Sequence, residues 1–291
     1  MSETWLSLRD VLLRTEAFLR KAGVEPPRLE AELLLGHVLG LPRLQLYLAH
    51  DRPMADAELE TLRALVRRRA QREPLAYLTG TRAFHRIELE IRPGVLIPRA
   101  DTETLVEAAL GWIGEPDAPV FVADVGCGSG AVGLAIASTL PAVRVYATDI
   151  EEVPIELTKA NARRLGLHER VAVLRGPLLD PIPAARVIDW VVSNPPYIRT
   201  GDIPGLMPEV SRWEPKAALD GGRDGLSVYH ALIPAARRRA RRGVLLEVGH
   251  DQAAQVSTLL EDAGFIDVRA WRDLGGHARV VGGKQPSPPP G

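Results

Sequence analysis

The sequence predicts an α/β protein in two parts: a small helical bundle, then a mostly parallel seven-stranded sheet with helices on both faces. Three observations carry this. Residues 1–75 show only helical periodicity, and from Val120 onward short apolar runs alternate with amphipathic stretches. A glycine-rich turn, Asp124-Val125-Gly126-Cys127-Gly128-Ser129-Gly130, joins the first of those runs to a helix. Such alternation lays strands side by side in parallel, with crossover helices covering both faces. At 291 residues the chain exceeds the usual single domain, in agreement with two parts.

In order, Ser7 and Asp10 make a capping box, and Leu8, Val11, Leu12, Phe18 and Ala22 form a stripe at helical spacing before Gly23. Pro26-Pro27 opens a second helix through Leu29, Leu33 and Leu34, which stops around Gly40. A short third piece, Leu44 to Leu48, follows Pro42, and a fourth helix starts near Asp56 and runs through Leu59, Leu62 and Val66 into Arg67-Arg68-Arg69. Short connections make these a bundle over residues 1–75; no residue in it looks catalytic, so it reads as a substrate-recognition module.

Residues 76–95 are read as a β-hairpin linker, from Ala83-Phe84 and Ile87 to Ile91. Asp101 or Thr102 is expected to cap a helix running through Val106 to Trp112. Strands are then expected at Val120 to Val125, Val143 to Thr148, Val171 to Leu174, Trp190 to Val192 and Val244 to Val248. Phe265 to Trp271 and Arg279 to Val281 would close the sheet as an antiparallel pair. The intervening helices are Ala131 to Leu140, a first-turn-proline helix opening at Pro154, residues 224–240, and Gln252 to Ala263. This second part covers residues 96–282, and the proline-rich tail 283–291 is expected to be disordered.

Composition excludes several classes. A net charge of −1 argues against binding nucleic acid through bulk electrostatics. The runs Arg67-Arg68-Arg69 and Arg237 to Arg242 fall on helices and are read as solvated faces. One cysteine, Cys127, rules out a disulfide framework or a cysteine-based zinc site, and the seven histidines lack ligand spacing, so no metal is expected. A cytoplasmic location fits. Neither a signal peptide nor an apolar run of about 18 residues is present, so no membrane partner is expected.

Three features carry chemistry. The glycine turn permits close backbone approach to a ligand over a helix N-terminus. Its spacing also meets the looser dinucleotide fingerprint, so the glycines alone are weak. Asp124 beside the turn suits a cation better than a pyrophosphate, and Gly130 is expected to bring backbone against a neutral part of the ligand. Asp149 closes the next strand, where an acid accepts from ribose hydroxyls. The third feature is Ser193-Asn194-Pro195-Pro196-Tyr197 after a buried strand. Prolines fix φ and remove donors, leaving a stiff turn with carbonyl acceptors, one amide and one ring. That turn suits gripping a planar NH2 group, although a Pro-Pro turn can also be merely structural. All three fall at the carboxyl edge of one sheet.

Gly126 to Gly130, Asp149 and Asn194 to Tyr197 resemble the S-adenosylmethionine-dependent methyltransferases of exocyclic or amide nitrogens, a Rossmann-like fold. With Leu75 to Gly80, Leu96-Ile97-Pro98-Arg99, Asp101-Thr102-Glu103, Glu214-Pro215, Gly221 to Leu226 and Glu247-Val248-Gly249, the chain is similar over roughly residues 70–282 to the bacterial peptide chain release factor glutamine N5-methyltransferases. The resemblance implies methylation of the glutamine in a Gly-Gly-Gln loop of release factors. It assigns S-adenosylmethionine to Gly126, Cys127, Gly128, Ser129, Gly130, Asp149, Leu178 and Asn194. It assigns the substrate amide to Asn194, Pro195, Pro196 and Tyr197, with Asn194, Pro195 and Tyr197 as the catalytic set. In this scheme the Asn194 oxygen and the Pro195 carbonyl accept the two amide hydrogens and Tyr197 clamps the amide plane. Two positions depart from the family pattern: Pro177 where many relatives carry an Asp expected at the adenine, and Ala100 for a usual proline. Adenine recognition then falls to backbone and Leu178.

The alternative is a DNA or RNA exocyclic-amine methyltransferase, which would need a flipped base and a charged strand path. A binding module without turnover is disfavoured by the amine grip. No direct nucleic-acid partner is expected, and a monomer is.

Overall fold

The computed structural model describes residues 6–286. The chain forms two compact units, one running up to Gly80 and including Met207–Trp213, the other comprising Thr81–Leu206 and Glu214 onward.

The first unit is helical: α1 (Leu8–Lys21), α2 (Pro27–Leu39), α3 (Arg43–Leu48), α4 (Asp56–Ala70) and α5 (Leu75–Thr79). The capping box is in place, with Asp10 N–H donating to Ser7 Oγ at 3.1 Å. Leu8, Leu12, Leu19, Leu34, Leu35, Leu46 and Leu62 meet in the core, where the predicted stripes converge. The arginine run is a correction. Arg69 is 3% exposed, not solvated, with Glu30 and Glu209 against its guanidinium, while Arg68 pairs with Glu73. Arg72 donates to both oxygens of Glu209, so a single helical turn at Pro208–Ser211 belongs to this unit. Helix α5 occupies Leu75–Thr79, past the expected boundary at 75.

The second unit opens with a hairpin, β1 (Thr81–Phe84) and β2 (Ile87–Glu90), antiparallel about a His85-Arg86 turn. After α6 (Glu103–Ile113) the alternation begins: β3 (Val120–Val125), α7 (Ala131–Thr139), β4 (Val143–Asp149), α8 (Glu152–Arg164), β5 (Val171–Arg175) and β6 (Ile188–Ser193). It ends with α9 (Ser227–Arg239), β7 (Ala240–Glu247), α10 (Ala253–Asp262), β8 (Ile266–Arg272) and β9 (Ala278–Lys284). The seven-stranded sheet runs β5-β4-β3-β6-β7-β9-β8. β3 to β7 pair in parallel, and β9 pairs antiparallel with both β7 and β8. This is the expected mostly parallel methyltransferase sheet.

Helix α8 opens at Glu152 rather than at Pro154, so the proline still sits in the first turn, where its missing N–H costs no helix bond. The tail expected to be disordered from 283 begins inside β9, and residues 287–291 lie outside the described residues.

Topology positions the site. The chain steps outward from β3 to β4 and β5, then returns to place β6 on the other flank of β3. The strand order therefore reverses at the carboxyl ends of β3 and β6, the crevice where ligands bind in open α/β sheets.

Candidate active site

A cavity of about 230 Å³ sits at that crevice. Its floor is the turn after β3. Gly126, Gly128 and Gly130 have φ of +70°, +57° and +82°, a conformation that favours glycine. The turn is tied to the end of β4, because Gly126 and Cys127 N–H donate to the Thr148 carbonyl at 2.8 and 3.0 Å. Asp149 continues the tie. Its Oδ2 accepts from Gly128 N–H at 3.1 Å and its Oδ1 from Glu151 N–H at 3.1 Å. A carboxylate offers about four acceptor sites, so Asp149 keeps capacity on the cavity it lines. Burial pushes its pKa up, opposed by those backbone bonds.

Of the residues predicted to hold the cofactor, Gly126, Cys127, Gly128, Ser129, Asp149, Leu178 and Asn194 all line this one cavity. Gly130 does not, and its role is corrected. As N-cap of α7, it packs so closely that a Cβ would stand 2.8 Å from Leu134 Cδ1 and 2.9 Å from Thr158 Cγ2. Glycine is needed there for helix packing, not for ligand approach. Cys127 is buried with Sγ 3.5 Å from Thr158 Oγ1, and burial raises its thiol pKa, so it stays a protonated small residue. Asp124 lies beneath the turn at 2% exposure, its Oδ2 accepting from Gly133 N–H at 2.9 Å. Burial, with a smaller repulsion from Asp149, pushes its pKa up to about 7.

Leu178 is held at φ +49° with its carbonyl accepting from Thr148 Oγ1 at 2.7 Å. Pro177, beside it on the wall, brings neither an N–H nor a carboxylate.

The opposite wall is the turn after β6. Ser193 Oγ donates to the Val125 carbonyl at 2.7 Å, locking β6 to β3, and Asn194, Pro195 and Pro196 line the cavity. Asn194 Nδ2 donates to Thr102 Oγ1 at 3.1 Å. Thr102 was expected to cap α6; it stands at the N-cap but makes no side-chain cap bond, because its oxygen is committed to Asn194. Tyr197 is outside the cavity lining. Its hydroxyl donates to Glu247 Oε1 at 3.2 Å, and its carbonyl accepts from Gln252 Nε2 at 2.9 Å. Glu247 ends β7 at 1% exposure, and burial pushes its pKa up to about 7 despite the Thr102 and Tyr197 hydroxyls that favour its ionised form. Thr102 and Glu247 are the site residues that sequence reasoning missed as such; each stood in a quoted motif without a role.

The charge of the cavity is one-sided. Among the described residues its lining holds Asp124, Asp149 and Glu151 but no Lys, Arg or His. That suits a cationic ligand and offers nothing to a pyrophosphate or a phosphodiester.

Two family descriptions match the chain: the PrmC N-terminal domain over residues 10–80 and the methyltransferase small domain over residues 115–205. The release factor glutamine methyltransferase of Geobacter sulfurreducens is 43% identical over 284 residues, spanning 97% of this chain and 98% of its own length. The chain belongs to the release factor glutamine methyltransferases. The family member from Moorella thermoacetica is 43% identical over 261 residues, with 89% of this chain and 91% of its own covered. The N-terminal domain of human METTL16, solved in complex with SAH, superposes with a TM-score of 0.50 at 19% identity, over 68% of this chain and 75% of that one. That likeness concerns the fold alone. As a member of this methyltransferase family the protein uses S-adenosylmethionine as methyl donor, and the cavity fits the group. Three carboxylates and no cation suit a sulfonium, and Gly126, whose Cβ position meets nothing within 4 Å, leaves open space over the turn.

Proposed function

We propose that this protein methylates the side-chain amide nitrogen, N5, of the glutamine in the Gly-Gly-Gln motif of peptide chain release factors, giving N5-methylglutamine and S-adenosylhomocysteine. One observation carries the reading. In a cavity lined by acids, Asn194 has its NH2 spent on Thr102, which leaves Oδ1 as its free acceptor. An acceptor beside the proline-stiffened Pro195 carbonyl matches a group that brings two hydrogens on one nitrogen, as a primary amide does.

An amide nitrogen is a poor nucleophile because its lone pair is delocalised into its carbonyl. Asn194 Oδ1 and the Pro195 carbonyl would take the two N–H bonds and hold the amide plane, with Tyr197 bordering the turn. Asp149 would accept from ribose hydroxyls, the Gly126–Ser129 backbone would cradle the amino-acid part, and Leu178 would border the adenine. When bound, the donor supplies an electrophilic sulfonium methyl. The residues of the chain act by holding and aligning, worth several kcal/mol when the reacting atoms are near in-line. A monomer acting in the cytoplasm on a translation factor completes the proposal.

The test incubates the protein with methyl-labelled S-adenosylmethionine and either a release factor or duplex DNA. Mass spectrometry should place one methyl group on the Gly-Gly-Gln glutamine. Label found on DNA instead would favour an exocyclic-amine methyltransferase.

A further inference from the structure

Behind the Asn194–Tyr197 turn lies a buried acid to which none of the roles above assigns work. Glu247 touches neither cavity nor solvent. Its Oε1 accepts from Tyr197, and its Oε2 is buried without a hydrogen-bond partner. Arg279, the nearby cation, is engaged by Asp101 and Asp273 rather than by Glu247. Tyr229 bonds the Glu247 backbone carbonyl at 2.6 Å and so has no need of the side chain. An apolar residue of this size would fill the space without leaving a charge half satisfied, so packing alone does not account for an acid here.

The hydrogen-bond directions do account for it. Thr102 Oγ1 accepts from Asn194 Nδ2, so its single proton must go elsewhere, and the Glu247 carboxyl is close enough to be favoured in its ionised form by that hydroxyl. An ionised carboxylate only accepts. With Glu247 taking the protons of both Tyr197 and Thr102, Thr102 faces Asn194 as an acceptor. Asn194 must then turn its NH2 toward Thr102 and its oxygen toward the cavity. We propose that Glu247, acting through Thr102, is the positioning residue that sets which end of the Asn194 amide faces the substrate. Helix α6, which begins directly after Thr102, is anchored at its far end by Trp112 packed against Trp190 and Trp271 at centroid distances of 5.5 and 4.8 Å, so the relay is built on a fixed support.

The inference deepens the proposed glutamine methylation and rests on it. Glu247→Gln keeps size and shape but supplies an NH2 donor. Thr102 can then accept from residue 247 and donate its proton to the Asn194 oxygen, which lets the Asn194 amide flip and present NH2 to an incoming NH2. The expected result, with release factor as substrate, is a kcat at least about tenfold lower, while the dissociation constant for S-adenosylmethionine stays within about twofold. Thr102→Val should lose a similar factor, Thr102→Ser should recover most of it, and Glu247→Gln combined with Thr102→Val should be no slower than the worse single variant. Wild-type kcat in Glu247→Gln would overturn the inference, as would losses that multiply in the double variant or that follow cofactor affinity. An inactive wild type would overturn the underlying reading and the inference with it; an active wild type beside an equally active Glu247→Gln would overturn the inference alone.

Discussion

The two walls of the cavity are built in opposite ways. The wall after β3 and β4 is local: a backbone turn whose amides bond the Thr148 carbonyl and the adjoining Asp149. The wall after β6 is assembled over long range, since Asn194 is oriented by a residue 92 positions earlier and Tyr197 by one 50 positions later. Each wall also buries an acid whose pKa is pushed up to about 7, Asp124 under the turn and Glu247 behind the amide grip. The comparison teaches that donor binding rests on backbone geometry, which tolerates side-chain change, whereas acceptor orientation rests on a chain of side chains that breaks at any link.

The sharpest way to test that contrast is Asn194→Ala. It removes the one oriented side-chain acceptor but leaves the β4 wall intact, so methyl transfer to release factor should fall by about 10²–10³-fold, comparable with losing one preorganised hydrogen-bonding group. Cofactor affinity, read by calorimetry, should change little. Retention of near wild-type rate would remove Asn194 from the catalytic set.

The next largest effect concerns stability and pH. Asp124 has a folded-state pKa of about 7 against an ordinary 3.8. Folding therefore favours its protonated form, and stability declines as pH rises from about 4 through about 7, because only the unfolded chain releases the proton there. Each pK unit is worth about 1.4 kcal/mol, so the loss carried by Asp124 is on the order of a few kcal/mol above pH 7. Glu247 adds a decline of the same sign. Asp124→Asn can still accept from Gly133 N–H, and its ligand-free melting temperature should fall less between pH 5 and pH 8 than that of the wild type. Parallel curves would place the titrating group elsewhere. Smaller again, Asp149→Ala should weaken S-adenosylmethionine binding by about 1–3 kcal/mol, the range for a hydrogen bond to a charged group. It should do so with kcat at saturating cofactor preserved, the opposite split from Asn194→Ala.

How much could be read beforehand follows the same division. The alternation of strands and helices, the glycine turn, Asp149 and the Asn-Pro-Pro-Tyr turn are local in sequence and specific in residue type, so fold and cavity lining were legible. Thr102 looked like an ordinary helix cap and Glu247 like an ordinary strand end, because what distinguishes them is contact with distant residues. Arg69 looked solvated for the same reason: Glu30 and Glu209 reach it only in the folded helical unit. The return of Met207–Trp213 to that unit has no periodicity to announce it, since it depends on Glu209 meeting Arg69 and Arg72.

Within the glycine turn itself the comparison can be sharpened once more. Gly126 and Gly130 look equivalent in the motif, and both have positive φ. At Gly130 an added Cβ would meet Leu134 and Thr158 at under 3 Å, so Gly130→Ala combines backbone strain with a clash in the core. At Gly126 no atom lies within 4 Å of the Cβ position, so Gly126→Ala should cost only the strain of a left-handed alanine, about 1–2 kcal/mol. Gly126 lines the cavity and Gly130 does not. The two variants should therefore separate: Gly126→Ala lowers cofactor affinity with a small drop in melting temperature, and Gly130→Ala lowers melting temperature more while the surviving folded protein binds cofactor as before. If both lost stability alike and affinity alike, the third glycine would belong with the ligand after all, and the packing account of Gly130 would fail.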